Sequence, residues 1–247
     1  MKRFLKSLPV LGALLKHAGQ WRWKFHLWRV DPARHIQRIL RKQKNLFLLQ
    51  IGSNDGMNDD PVFAALRLQP SWEALLVEPV PYLFERLKLN YVGNSRVQFA
   101  NVAIADECTT STFYYLDASA KLHVPGLPAW FDQLGSFDGS HIIKHLGVGV
   151  EPLIRTLDIP TVSLPTLLEC QNVSKIDVLH IDTEGYDWKI LRQLDLKVYR
   201  PKVILFEHKH LQESERLEAL AFLQPSYRIT DLDVSGDYLC ERIDGVS

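Results

Sequence analysis

The sequence predicts an α/β protein in which a mostly parallel sheet carries helices on both faces and ends in an antiparallel hairpin. Three observations predict it. Short apolar β-type runs alternate with helical stretches along most of the chain, as strand–crossover–strand units require. Near the end, two β-type runs, Tyr227–Leu232 and Asp237–Arg242, flank the turn Val234-Ser235-Gly236 with no helix between them. Polar and acidic residues follow directly on the apolar runs, where an open α/β sheet keeps its ligand crevice.

The 247 residues suit one such domain with appendages, and 46% hydrophobic with 23% charged residues excludes a disordered or fibrous chain. The expected division is a basic, aromatic-rich helical arm over residues 1–44 and a main domain over 45–247 with a lid-like insert at about 110–162. The arm holds twelve Lys and Arg against one acid, Asp31. Since 29 bases balance 29 acids overall, an arm of +11 is joined to a body of −11. Trp21, Trp23, Phe25 and Trp28 interleave with this charge, and a helix is expected over 21–44. Two roles stay open: peripheral contact with an anionic membrane, or packing on the body. The arm shows no recognised nucleic-acid module, so nucleic acid is not an expected partner.

Residues 1–15 have a basic start and an apolar run, but Pro9 and Gly12 interrupt the run and Lys16 closes it, against a cleaved signal. Cys108, Cys170 and Cys240 lie far apart without a C-x-x-C pair, against a disulfide framework or a zinc site of regular spacing. A cytoplasmic protein is expected, with the arm as the one candidate contact to the inner face of a membrane.

The β-type runs are 46–51, 74–77, 97–100, 178–181 and 203–206, and helices are expected over 62–68, 82–90, 186–194 and 213–223. The insert begins with the β-like Phe113-Tyr114-Tyr115-Leu116 and continues as a glycine- and proline-rich loop. Within it Trp130, Phe131, Phe137, His141, Lys144 and His145 are candidates to line a pocket.

Five strand ends carry candidate chemistry. The first opens into Gln50-Ile51-Gly52-Ser53-Asn54-Asp55-Gly56: Gly52 and Gly56 would allow close backbone approach to a ligand, Gln50, Ser53 and Asn54 would supply polar contacts, and Asp55 would meet a cofactor ammonium. The second ends in Val77-Glu78-Pro79, which sets a carboxylate where a ribose diol would lie and would repel a phosphate. S-adenosylmethionine and NAD both present such a diol, but G-x-x-x-G in place of G-x-G-x-x-G offers no pyrophosphate cradle. After the third run, Asn101 could pair with an adenine edge and Val102 pack on the ring. At the fourth and fifth, Asp182 in Ile181-Asp182-Thr183-Glu184-Gly185-Tyr186-Asp187 and the pair Glu207-His208 are expected to meet the reacting groups. His208 is the first choice for removing a proton and Glu207 or Asp182 the second; Glu184 and Asp187 are either site residues or helix caps. No resident metal is expected, an ion on Asp182 and Glu207 being the lesser alternative.

These blocks resemble the FkbM family of methyltransferases, which carries an Ile-Gly-Ser/Ala-Asn-Asp-Gly loop, a Val-Glu-Pro strand end and an Ile-Asp-x-Glu-Gly block. Here they stand at Ile51 to Gly56, Val77 to Pro79 and Ile181 to Gly185. The resemblance spans about residues 47–241 and leaves the arm outside. It implies a Rossmann-like class I methyltransferase fold, S-adenosylmethionine as cofactor, and methyl transfer to an oxygen, often a hydroxyl of a sugar, glycan or natural product. Gln50 and Asn54 stand where the wider class has an acid and a glycine. Two other readings stay open: a binding adaptor that holds the cofactor without catalysis, and an NAD-dependent oxidoreductase.

Overall fold

The computed structural model describes residues 31–58, 60–233 and 235–243. The aromatic residues 21–28 and the signal-like start lie outside them.

The described chain opens with helix α1 (Pro32–Leu40). Asp31 caps it by accepting the Ala33 N–H at 3.0 Å, proline fills the first turn, and Ile36 and Leu40 are fully buried. Residues 32–40 of the arm therefore pack on the body. Next come β1 (Phe47–Ile51), α2 (Phe63–Leu68), β2 (Glu73–Val77), α3 (Pro81–Asn90) and β3 (Val97–Ala100). After the insert follow α6 (Leu164–Cys170), β7 (Val178–Ile181), α7 (Asp187–Leu191), β8 (Val203–Glu207), α8 (Glu213–Leu223), β9 (Tyr227–Leu232) and β10 (Asp237–Arg242), where the intervening numbers belong to the insert.

These strands form one sheet of seven in the order β3-β2-β1-β7-β8-β10-β9, parallel except for β10, which runs antiparallel to both neighbours. Successive strand residues face opposite sides, so β1 feeds two cores. Leu49 and Ile51 join Val77, Ile181 and Phe206 on the side of α6 to α8, while Leu48 joins Leu66, Trp72 and Leu205 on the side of α1 to α3. Burial on both faces is why these strands read as unbroken apolar runs. The order and the terminal hairpin make the class I methyltransferase sheet expected from the sequence. Helix α7 is shorter than expected because Gln193 and Leu194 N–H groups turn to the carbonyls three residues back, Ile190 and Leu191.

The insert is a folded unit, where the sequence suggested a loop. β4 (Ala103–Ile104), β5 (Thr109–Tyr115) and β6 (Arg155–Val162) make a second sheet in the order β4-β6-β5. Between β5 and β6 lie α4 (Ala120–His123), a 3-10 turn (Phe131–Gln133), α5 (Gly139–Leu146) and a second 3-10 segment (Val148–Leu153), around a core that includes Leu116, Phe131, Ile142 and Val150. Gly139 and Gly147 serve packing and capping. Gly147 ends α5 at φ +84, and a Cβ on Gly139 would press within 2.8 Å of the Tyr114 ring. Among the described residues no helix is long and apolar enough to cross a membrane.

Candidate active site

The carboxyl ends of β1, β2, β7 and β8 open into a cavity of about 710 Å³, a volume ordinary for small-molecule sites. The insert forms its far wall through Phe113, Trp130, Leu134, Phe137 and His145, and Asp31 and Pro32 at the start of α1 reach its rim.

The β1 exit turns so tightly that only glycine fits. Gly52 has φ +82, and a Cβ there would stand 1.7 Å from the Asp182 carbonyl oxygen, so the β1 and β7 exits meet only without a side chain. Ser53 latches β1 to β2: its hydroxyl donates to the Gln50 carbonyl at 3.3 Å and accepts the Val77 N–H at 3.1 Å. Asn54, also at positive φ, donates its backbone N–H to Glu78 Oε2 at 2.8 Å. Glu78 Oε1 accepts the Val80 N–H at 2.9 Å. Burial pushes the Glu78 carboxyl up to about 7 in spite of these two bonds. Each of its oxygens retains acceptor capacity for a ribose diol. Val77, Val80, Leu83, Val102 and Ile104 supply apolar walls beside it, and Gly52, Ser53 and Asn54 line the same space. This donor set fits an adenosyl group.

Gln50 and His180 are register neighbours on β1 and β7, and both line the cavity. Gln50 Nε2 donates to Asp60 Oδ2 at 3.3 Å, whereas Gln50 Oε1 and His180 Nδ1 are buried without a partner. Burial pushes Asp60 up to about 6 and holds His180 down at about 4, so this imidazole stays neutral at physiological pH.

The other half of the cavity is crowded with titratable groups. Asp182 follows β7 and is open to the cavity space, yet protein surrounds it closely. That desolvation, with the charges of Glu184, Asp187 and Asp237, pushes its carboxyl well above the ordinary range. Glu207 ends β8, forms an ion pair with Lys209, and is pushed up by burial and by the charges of Asp182 and Glu184. Glu184 sits in the tight turn after β7 at φ +54. Burial raises its carboxyl, but His141 at 2.9 Å, His210 at 3.1 Å and Lys209 outweigh that and hold it low, at about 2. His141 and His145 reach this place from α5, and His210 from the segment after β8. Burial and the two other imidazoles hold His145 below its ordinary value.

Four expected site residues stand elsewhere. Gly56 packs on α3, where a Cβ would come within 2.3 Å of Leu87 Cδ1. Asp55 turns from the cavity to accept the Met57 and Asn58 N–H groups and to pair with Arg86 at 3.1 Å. Asn101 braces the β2 exit, its amide donating to the Glu78 and Pro79 carbonyls at 2.8 and 3.0 Å. His208 leaves the chain on the side opposite Glu207, stacks on Tyr238 at 3.9 Å and meets Asp231 at 3.1 Å. His208, the expected first choice of base, is therefore placed outside the cavity, while His210, two residues on, lines it. Asp187 is fully buried and accepts the Thr183 hydroxyl and the Gly185 N–H, which makes it a turn residue. Sequence reasoning also missed Asp60, His180 and Lys209. The run Glu207-His208-Lys209-His210 held the one available signal for His210.

The Methyltransferase FkbM domain profile matches residues 50–229. No curated protein matches the chain. Among solved structures, a fibrillarin/Nop5p complex aligns at 13% identity over 86% of this chain and 83% of that one, with a TM-score of 0.42. Precorrin-6y C5,15-methyltransferase from Geobacter metallireducens GS-15 aligns at 14% identity over 80% and 71%, with a TM-score of 0.39. The ribosomal protein L11 methylase from Lactobacillus delbrueckii subsp. bulgaricus aligns at 10% identity over 84% and 76%, with a TM-score of 0.42. Likenesses of this size carry no argument about substrate or mechanism. The profile match is different in kind, because it covers most of the chain and takes in every strand exit that meets the cavity; the protein belongs to the FkbM family of methyltransferases.

Proposed function

We propose that this methyltransferase acts on oxygen, transferring a methyl group to a hydroxyl of a sugar, glycan or natural-product acceptor. The observation that carries the reading is the continuity of one cavity from Glu78 to His145 and His210. A hydroxyl is a weak nucleophile at neutral pH and needs a group that takes its proton or stabilises its anion. The half of the cavity away from Glu78 offers such groups in Asp182, Glu184, Glu207 and His210.

S-adenosylmethionine, the methyl donor of the family, supplies a methyl group already activated on a sulfonium, so alignment is the main task left to the protein. Glu78 accepts the ribose hydroxyls, Gly52 to Asn54 set the backbone against the nucleoside, and Val102 and Ile104 pack on the base. Phe113, Phe137 and Tyr186 exclude water between the two halves. Asp182, open to the cavity at the β7 exit, takes the acceptor proton.

The test is incubation of the purified protein with methyl-labelled S-adenosylmethionine and fractionated cell extracts. Base-stable label in a glycan or small-molecule fraction supports O-methylation; base-labile label, or label in protein amines or nucleic acid, overturns it. Cofactor binding without transfer to any fraction would favour the adaptor reading. The family assignment displaces the oxidoreductase alternative. The basic residues 1–30 are proposed to bring the body to an anionic membrane surface, which co-sedimentation with and without anionic lipid would test.

A further inference from the structure

The structure assigns a divalent transition-metal site to His141, His145 and His210, closed by the carboxylates of Glu184 and Glu207. The three imidazole ring centroids stand 4.5, 4.7 and 4.9 Å apart, and one potential ligand atom from each ring lies within 4.8 Å of the others. Glu184, Glu207 and His210 satisfy the same condition among themselves, so His210 belongs to both groups.

The elements explain how the groups converge. His141 and His145 are one turn apart on α5 and project from the same helical face, the spacing by which a helix offers two imidazoles to one ion. His210 and Glu207 come from the exit of β8, and Glu184 from the turn after β7. Rigid elements thus carry three of the five side chains, and His210 and Glu184 each follow a strand end by three residues.

Packing of three rings around one carboxylate is the simpler account, and the hydrogen-bond inventory argues against it. His145 Nε2, His210 Nε2 and Glu207 Oε2 are buried, and none has a hydrogen-bond partner. His210 Nε2 stands 3.1 Å from Glu184 and 3.7 Å from Glu207, as an ion-pair contact to each. Buried polar atoms are hydrogen-bonded in the great majority of cases, and three without a hydrogen bond in a single cluster need a common explanation. His210 belongs to both groups, so one cation on the imidazoles satisfies His145 and His210, with the Glu184 and Glu207 carboxylates beside His210. Glu207 is 3% exposed, and the side chains of His141, His210 and Glu184 are only 10 to 13% exposed, so water is largely excluded from the place the ion would take.

Ligand chemistry selects the ion. Three imidazoles with one or two carboxylates suit zinc, cobalt, iron or manganese in the divalent state, whereas magnesium and calcium prefer all-oxygen sets. The ion alternative expected from the sequence, on Asp182 and Glu207, is thereby moved: Glu207 remains and imidazoles replace Asp182. Because His145, His210, Glu184 and Glu207 line the cavity, the bound ion has an open side toward the acceptor. Its use there, polarising the acceptor oxygen, rests on the O-methylation reading; the binding itself does not.

The experiment strips the full chain with a chelator and titrates it with zinc, then with cobalt, following heat and visible absorption. S-adenosylhomocysteine binding is measured in parallel. The expected result is one ion per chain, cobalt bands of a low-symmetry nitrogen-rich site, and at least about tenfold weaker zinc binding in His145→Ala and in His210→Gln, with S-adenosylhomocysteine affinity unchanged. Less than one ion per chain, or the same affinity in both variants, overturns the site. If one variant fails to fold, the other decides. Zinc binding without S-adenosylhomocysteine binding would sink the cofactor assignment and leave the metal site standing; the reverse would do the opposite.

Discussion

The two halves of the cavity are built in different ways. Around Glu78, the parts come from neighbouring strand exits and are tied by backbone hydrogen bonds: the Asn54 and Val80 N–H groups hold the carboxylate, and Ser53 ties β1 to β2. Around His210, the parts are side chains from α5, the β7 turn and the β8 exit, and carboxylates and imidazoles hold one another. The first half is a property of the sheet, and any sheet of this order makes it from a few adjacent residues. The second is completed by the insert, which brings His141 and His145 over the β7 and β8 exits.

Substitutions can break that contrast. The largest effect is expected at His210→Ala, which removes a proposed ligand of the ion beside the acceptor and should cut labelled-methyl transfer by about 10- to 100-fold while leaving S-adenosylhomocysteine affinity intact; equal loss of both would merge the two halves. Gly52→Ala should destabilise the whole protein by about 3 kcal/mol or more in chemical denaturation, because its Cβ collides with the Asp182 carbonyl at a positive φ. A stable Gly52→Ala protein would show that the exits of β1 and β7 can part.

Glu78→Gln should weaken cofactor binding by about 1–3 kcal/mol, and pH sharpens this assignment. Folding raises this carboxyl from 4.5 to about 7, so the folded state holds its proton more tightly than the unfolded chain. The contribution of Glu78 to stability therefore falls as pH rises between these values and is level above them. Cofactor affinity runs the other way and grows as the carboxyl ionises through about 7, since the carboxylate is the better acceptor for a diol. Both slopes should vanish in Glu78→Gln, which calorimetry and thermal melting across that window would read.

Smaller effects separate neighbours in sequence. Asp55→Ala should cost about 1–2 kcal/mol of stability through the lost turn bonds and Arg86 pair, with cofactor affinity per folded molecule unchanged. His208→Ala should leave transfer within about twofold of the parent, since its ring contacts Tyr238 and Asp231 outside the cavity. A loss at His208 as large as that at His210 would restore the first expectation.

Most of the sheet was legible in the sequence, because burial on both faces writes a strand as an apolar run between turn residues. β3, β7 and the hairpin strands have the expected bounds, and β1, β2 and β8 differ by one residue. Apart from the β-like Phe113 to Leu116, which falls on the end of β5, the insert was not legible. Its threonine-rich strand β5 buries few side chains and so lacks an apolar run, and glycines that look like loop markers serve instead to admit the Tyr114 ring and to end α5. Around the site, the loop and the Glu78 strand end could be read as a pair, but the direction of each side chain could not. Gly52 and Gly56 look equivalent in the chain, yet one lies against Asp182 and the other against Leu87 and Tyr91.

By itself, then, the sequence determined the order of strands and helices, the strand exits that carry polar residues, and the family. Those follow from local periodicity and from short blocks of adjacent residues. Only the tertiary structure decided that His210 and not His208 enters the cavity, that Asn101 braces a turn, and that His141 and His145 meet residues far along the chain. Distance through space between remote segments is set by how two sheets and their helices pack, and no spacing along the chain encodes it.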